Sequence, residues 1–254
     1  MKKPILEVID LSVSRSGKVI IQDVSLRLNE GEFVAIVGPN GSGKSTFLLS
    51  ILGLLKPRTG TIEIYGHPPM SRQLHRKIGW VSQAAAYLPK DVKLTVRELV
   101  RLGTLHSGNM FDWLDNGRDA KATQAIRMAG LESVQNTPVA RLSGGQRQRA
   151  VIARALATEA DFILLDEPLV GIDRDSRNSL LKLLDRLCHE QGKTILMVSH
   201  DFTAMFQTAH RIVFLEETIR FDGPTETFPN LDKLADLRGI TNVHGQQKED
   251  WVWE

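Results

Sequence analysis

A glycine-rich segment at residues 38–45, GPNGSGKS, places a lysine and a hydroxyl directly after three glycines. Glycine lets backbone N–H groups turn inward around phosphate oxygens, because no Cβ blocks their approach. The apolar run FVAIV precedes the segment and KSTFLLSILGLL, with the pattern of a helix, follows it, so a helix N-terminus would face the anion. Lys44 would reach the β- and γ-phosphates, and Ser45 would offer its hydroxyl to Mg²⁺. The predicted nucleotide-binding residues of this segment are Gly38, Pro39, Asn40, Gly41, Ser42, Gly43, Lys44, Ser45 and Thr46.

Two carboxylates follow the apolar run FILL in the segment FILLDEP. Asp166 would lie at the end of a strand, where it can hold the water shell of Mg²⁺. Glu167, one residue further, could orient and deprotonate an attacking water. The alternative is a pair of solvated acids that cap a loop, and the lysine-containing segment makes that alternative less favourable.

Two more polar residues follow apolar runs, namely Gln83 after IGWVS and His200 after TILMVS. In an open α/β sheet the ligand lies at the carboxyl ends of the strands, so both side chains would approach the γ-phosphate. A lone histidine can equally be structural, but three motifs that end at one edge favour a site. We therefore predict Glu167, His200 and Gln83 as catalytic residues, and Ser45, Gln83 and Asp166 as Mg²⁺ ligands.

A second glycine pair occurs in RLSGGQRQRA at residues 141–150. Ser143, Gly144 and Gly145 precede the helical pattern QRQRAVIARALA, where an anion is favoured, but no lysine follows to hold a phosphate chain. This pattern predicts a half-site. Two half-sites in one chain are useful if two copies pair head to tail and each completes the pocket of the other. The alternative is a helix start that happens to use glycines.

The sequence contains both strand patterns and helix patterns around these residues. The first thirty residues alternate in polarity, as antiparallel strands with an exposed face do, whereas FVAIV is apolar throughout, as a strand covered on both faces is. Residues 84–140 are predicted mostly helical, with a capping box at Thr95 and Glu98 and a helix end at Gly130. Strands that alternate with helices imply a parallel α/β sheet.

Composition excludes several classes of protein. The formal net charge of +2 and the scattered basic residues argue against a nucleic-acid binder. The single cysteine, Cys188, cannot form an intramolecular disulfide. The longest apolar runs, FVAIV and FILL, are too short for a membrane span, so the chain is expected to be soluble. The seven histidines are dispersed, without the spacing of a helical metal site.

Taken together, GPNGSGKST, VSQ, LSGGQRQR, FILLDEP and VSH resemble the ATP-binding subunit of an ABC transporter over about residues 5–225. The resemblance implies an α/β fold with a P-loop NTPase core, an N-terminal antiparallel β subdomain and a helical subdomain at about 84–157, with 230–254 as an extension. It implies ATP and Mg²⁺ as cofactors and a homodimer in which the signature closes over the partner's γ-phosphate. The residues that act in trans would be Ser143, Gly144, Gly145 and Gln146.

The resemblance also implies partners: a membrane permease and, indirectly, an extracytoplasmic substrate-binding protein, with this subunit at the cytoplasmic face of the inner membrane. Asp173 in VGID matches the loop through which the two sites communicate. Arg15 stands where the family usually has an aromatic residue that stacks on adenine; a guanidinium plane can also stack on a base.

The segments DEPLVGID, VSHDF and DGPTETF are similar to those of bacterial zinc and manganese importers. The alternatives are an importer of haem, siderophore or phosphonate, a soluble ABC-type ATPase, and a module that binds nucleotide without hydrolysis. The single cassette and the short spacing between its motifs disfavour the soluble ATPase. The presence of Glu167 and His200 disfavours the module.

Overall fold

The computed structural model describes residues 4–86, 93–105 and 116–229, and within them nine strands form two sheets. The strands are β1 (Pro4–Arg15), β2 (Lys18–Asn29), β3 (Phe33–Val37), β4 (Thr59–Ile64), β5 (Ile78–Val81), β6 (Phe162–Asp166), β7 (Thr194–Ser199), β8 (Arg211–Glu216) and β9 (Thr218–Pro224).

The larger sheet has the order β5-β6-β7-β3-β8-β9, and its first five strands run parallel. All five residues of β3 and of β6 are buried, which confirms that FVAIV is a strand covered on both faces. Because the parallel strands point the same way, their carboxyl ends form one edge. That edge receives the loops after β3, β5, β6 and β7.

β9 pairs antiparallel with β8 at the edge of this sheet and was not predicted from the sequence. The hairpin turns at Glu217, which has φ 61. A glutamate in the left-handed region gives no turn signal in the sequence, where glycine or asparagine is the usual residue.

The smaller sheet has the order β2-β1-β4 and is antiparallel, as the alternation predicted. The strict alternation is wrong, however, because Ile5 and Leu6 are both buried and the register of β1 shifts after Val8. Asp10 has φ 49 at this shift. A bulge of this kind bends the strand and exchanges the buried and exposed faces.

Six α-helices lie in the described part of the chain: α1 (Lys44–Ile51), α2 (Val96–Leu102), α3 (Asn116–Met128), α4 (Gly144–Leu156), α5 (Arg174–His189) and α6 (Phe202–Phe206). The prediction that α1 continues to Leu55 is wrong. Gly53, with φ 74, ends it, and Leu54 N–H returns to the carbonyl of Leu49.

The segment between β5 and β6 contains α2, α3, α4 and short 3₁₀ turns, so the helical prediction for 84–140 holds where the chain is described. Thr95 and Glu98 form the predicted capping box, and Gly130 adopts φ 64 just after α3. The aromatic segment MFDWL at 110–114 and the extension at 230–254 lie outside the described residues.

Two cores lie on opposite faces of the larger sheet. Phe33, Ala35 and Val37 of β3 face the helices α2 to α5, whereas Val34 and Ile36 face α1 and the smaller sheet. This alternation fixes the height of β3 between two layers and therefore the position of the loop that follows it. No helix in the described ranges is long and apolar enough to cross a membrane.

Candidate active site

A cleft of about 430 Å³ opens at the carboxyl edge of the parallel strands. It is bounded by the end of β1, the loop between β3 and α1, and the loops that follow β5, β6 and β7. The lining residues are Arg15, Ile20, Asn40, Gly41, Gly43, Lys44, Ser45, Thr46, Gln83, Glu167, Val170 and His200. Residues predicted from five separate segments therefore meet in one cavity.

The loop at residues 38–43 has a conformation that depends on glycine at two positions. Gly38 has φ 158, and a Cβ there would lie 2.2 Å from the carbonyl oxygen of Leu215. Gly43 has φ 100, and a Cβ there would lie 2.4 Å from Ile21 Cγ2. At these two positions the loop passes too close to β8 and β2 for a side chain. Because glycine has no Cβ, an anion can approach the backbone of this loop closely.

Two polar groups of the loop fit a bound anion. Lys44 is buried, and its Nζ donates hydrogen bonds to the carbonyl oxygens of Gly38 and Pro39, both at 2.9 Å. Burial lowers the pKa of Lys44, an effect partly opposed by the nearby Glu167 and Asp166 carboxylates. The Ser42 hydroxyl is buried without a hydrogen-bond partner within the described part of the chain. Phosphate oxygens would satisfy both groups.

The oxygen ligands that Mg²⁺ prefers are grouped at the start of α1 and the end of β6. Ser45 Oγ donates a hydrogen bond to Asp166 Oδ1 at 3.2 Å. Burial raises the pKa of Asp166, because desolvation penalises its charged form more than the Ser45 hydrogen bond favours it. A cation beside this carboxylate would compensate that cost. Gln83 adds a carboxamide from the 3₁₀ turn Gln83–Ala86 after β5, so hydroxyl, carboxylate and carboxamide fit a magnesium ion.

Glu167 and His200 form a contact across two strand ends. His200 Nδ1 lies 2.8 Å from Glu167 Oε2, and the backbone N–H of His200 donates to the same oxygen at 3.4 Å. The glutamate side chain is 10% exposed, whereas that of the histidine is 52% exposed. Glu167 also has φ 50, a left-handed conformation that costs a non-glycine residue about 1–2 kcal/mol. The surrounding strands thus hold the backbone of Glu167 in a strained conformation, and the contacts with His200 orient its carboxylate.

The second glycine pair lies outside the cleft and is not a loop. The expectation that Gly144 and Gly145 precede the helix is wrong, because α4 begins at Gly144 and Ser143 is its N-cap. Ser143 Oγ accepts a hydrogen bond from the N–H of Gln146, and Gln146 Oε1 accepts one from the N–H of Ser143. A Cβ at Gly145 would lie 2.2 Å from Ser176 Oγ, so the contact with α5 requires this glycine.

Arg15 lies at the edge of the cleft, and Asp173 lies at the start of α5. Arg15 is the exposed last residue of β1 and lines the cleft on the side of Ile20. Asp173 lies outside the cleft lining and is the N-cap of α5, where its Oδ1 accepts a hydrogen bond from the Ser176 N–H at 2.9 Å. That hydrogen bond lowers the pKa of Asp173.

Three features of the cleft were missed by sequence reasoning. Ile20 and Val170 line it as apolar walls, and nothing in their local sequence distinguishes them from core residues. The left-handed backbone of Glu167 was also missed, since glutamate is not a residue that signals positive φ. Outside the cleft, the buried Cys188 donates its Sγ–H to the carbonyl oxygen of Gly31 and is part of the core.

A family profile described as ABC transporter matches residues 21–170. The chain is 32% identical over 248 residues to the zinc uptake system ATP-binding protein ZurA of Listeria monocytogenes, an alignment that covers 98% of this chain and 96% of the relative. It is 32% identical over 225 residues to the high-affinity zinc uptake system ATP-binding protein ZnuC of Bacillus subtilis, covering 89% and 96%.

Among solved structures, the fold is similar to a dimeric ATP-binding cassette in a post-hydrolysis state bound to ADP and Pi. The two chains superimpose with a TM-score of 0.72 and 32% identity, over 88% of this chain and all of the other.

Proposed function

The chain belongs to the ABC transporter family, and we propose that it is the subunit that binds and hydrolyses ATP for metal-ion import through a separate membrane permease. The observation that supports this proposal most strongly is the cleft that the Lys44 loop, Ser45 and the Glu167–His200 pair line together. Asp166 lies behind its lining and accepts a hydrogen bond from Ser45. We assign this activity to a domain at residues 1–229, with a helical subdomain at about 84–157.

The loop at 38–43 and Lys44 bind the phosphate chain. Backbone N–H groups of the loop and the N-terminus of α1 provide a positive end for the anion. The ammonium group of Lys44 is already desolvated at the loop. Phosphate oxygens can therefore replace the two carbonyl oxygens that it contacts, with little reorganisation.

Ser45, Asp166 and Gln83 hold Mg²⁺ in this proposal. The metal, when bound with ATP, would neutralise charge on the β- and γ-phosphates. The described donor set supports it, since Ser45 Oγ and Asp166 Oδ1 are only 3.2 Å apart. Gln83 lines the same cleft from the loop after β5.

Glu167 is the proposed general base, and His200 positions it. The carboxylate is held by the histidine ring and by the histidine backbone N–H, so one of its oxygens is oriented and the other can face water. A base fixed in this way accepts a proton without the entropy loss of ordering a flexible side chain.

The active unit is proposed to be a head-to-tail homodimer. Ser143 to Gln146 lie outside the cleft of their own chain. Their helix N-terminus favours an anion, so they suit the partner's nucleotide rather than their own. The solved cassette with ADP and Pi that this fold resembles is itself dimeric.

The cargo of the assembled transporter is proposed to be zinc or a similar divalent metal. The support is the identity to two zinc uptake proteins over nearly the whole chain. Within the described ranges no group of three or more His, Cys, Asp or Glu side chains could hold a metal ion, so the cargo would pass through other subunits. These are a permease, against which the chain would lie at the cytoplasmic face, and indirectly an extracytoplasmic substrate-binding protein.

The test is the steady-state ATPase activity of Glu167→Gln, which keeps the size and one acceptor of the side chain but removes the base. We expect turnover to fall by at least about 10²-fold while ATP binding persists. Glu190→Gln, on an exposed helix end remote from the cleft, is the matched control and should turn over normally. Near-normal turnover of Glu167→Gln would show that another group is the base.

A further inference from the structure

The first turn of α5 contacts both the signature at Ser143–Gln146 and the loop that contains His200. Ser176 and Arg177 are neighbours in sequence, but successive helical side chains point about 100° apart. Ser176 faces the N-terminus of α4, where the signature Ser143–Gln146 lies. Arg177 faces the start of α6, directly after His200.

The contact with the signature is steric. A Cβ at Gly145 would lie 2.2 Å from Ser176 Oγ and 2.3 Å from Ser176 Cβ, so the two helices touch with no space between them. The Ser176 N–H is fixed by Asp173 Oδ1 at 2.9 Å. A displacement of the signature towards α5 must therefore move the first turn of α5 as well.

The contact with the His200 loop is an ion pair. Arg177 Nη1 donates to Asp201 Oδ2 at 2.6 Å, and Asp201 Oδ1 accepts from the N–H of Ala204 as the N-cap of α6. Asp201 is adjacent to His200, whose ring contacts Glu167 at 2.8 Å. The position of Arg177 thus influences where His200 can hold the catalytic carboxylate.

We propose that Ser176 and Arg177 are positioning residues that couple the signature of a chain to the His200–Glu167 pair of the same chain. The proposal rests on the head-to-tail dimer of the proposed function, in which the signature serves the partner's nucleotide and His200 serves the chain's own. Closure on one nucleotide then orients the base at the other nucleotide, through a path that lies entirely within one chain.

The ion pair is tested with Arg177→Gln, Asp201→Asn and the double variant. Asparagine keeps the N-cap of α6, so Asp201→Asn removes the charge without removing the cap. We expect turnover to fall about tenfold, and the Hill coefficient for ATP to fall from about 2 to about 1. The affinity of the dilute, monomeric chain for a non-hydrolysable ATP analogue should stay within about twofold. The double variant should be no worse than either single variant.

The steric contact is tested with Ser176→Leu and Ser176→Ala. Leucine displaces the N-terminus of α4 and should lower turnover and cooperativity together, whereas alanine fits the same space and should restore both. The control ion pair is Lys193 with Asp161, 2.8 Å apart at the amino ends of β7 and β6, away from the cleft. Lys193→Gln should leave turnover and the Hill coefficient unchanged.

Three results would overturn the coupling. One is wild-type cooperativity in Arg177→Gln. Another is a loss of affinity for the ATP analogue in the dilute Arg177→Gln chain that is as large as its loss of turnover, because the ion pair would then be a local part of the nucleotide site. The third is a wild-type chain that dimerises with ATP yet hydrolyses it with a Hill coefficient of 1. Failure of the proposed function itself is distinguishable, because the wild-type chain would then neither hydrolyse ATP nor dimerise with it.

Discussion

The two segments at residues 38–46 and 143–146 both combine glycine with serine, but they adopt different backbone structures. In the first, glycines with positive φ form a loop that surrounds a buried lysine. In the second, the glycines form the first turn of a regular helix, and reciprocal hydrogen bonds between Ser143 and Gln146 cap its N-terminus. In our proposal the first segment binds a phosphate chain by itself, whereas the second offers only an exposed helix end. The comparison suggests that the second needs a ligand bound elsewhere.

The largest effect should follow from removing Lys44 of the first segment, since the second segment has no lysine. Lys44→Ala should lower turnover by about 10²–10³-fold and weaken nucleotide binding by the isolated chain, since it removes a charged contact to the phosphates. Binding is measured by titration with a fluorescent ATP analogue. Lys56→Ala, on the surface after α1, should change neither quantity. Tight binding by Lys44→Ala would remove the distinction between the two segments.

A smaller effect should come from placing a charge on the second segment. Ser143→Asp keeps an N-cap but directs a carboxylate at the partner's γ-phosphate, so turnover should fall about 10²-fold. Ser143→Asn keeps the cap without the charge and should retain much more activity. Binding of the analogue by the dilute chain should not change in either variant. A loss of binding in Ser143→Asp would place this serine in the cleft of its own chain.

Stability should distinguish Gly43 of the first segment from Gly144 of the second. Gly43→Ala forces a side chain into φ 100 and against Ile21, and should lower the free energy of unfolding by about 2 kcal/mol or more. Gly144→Ala lies in a helix, with 3.3 Å to the carbonyl oxygen of Gly171, and should stay within about 1 kcal/mol of wild type. Urea unfolding measures both. Equal losses would mean that Gly144 is constrained as Gly43 is.

The smallest effect concerns the rim of the first segment. Arg15→Tyr should tighten ATP binding by a few-fold, which corresponds to about 1 kcal/mol of binding free energy. The reason is that a phenol ring stacks on adenine over a larger area than a guanidinium group does. The same titration with ATP and GTP shows whether the base is contacted at all. An unchanged or weaker affinity would mean that adenine does not lie over Arg15.

Most of the cleft could be predicted from sequence because each motif is local. A strand, a glycine loop and a lysine follow one another directly, and the polar residues after β5, β6 and β7 must meet because parallel strands end at one edge. What could not be predicted depends on contacts that are distant in sequence. The contact of Gly145 with Ser176 and the bulge at Asp10 are examples. The missed strand β9 follows a turn formed by Glu217, which has no sequence signal.

Sedimentation of Glu167→Gln with and without ATP tests the central claim, that one segment binds the nucleotide and the other completes the partner's site. Glu167→Gln should be a monomer without nucleotide and a dimer with ATP, because the trapped nucleotide joins the chains. Glu167→Gln combined with Ser143→Asp should bind ATP and remain monomeric, whereas the combination with Ser143→Asn should dimerise. A dimer of the Ser143→Asp combination that is as stable as that of Glu167→Gln would contradict the account.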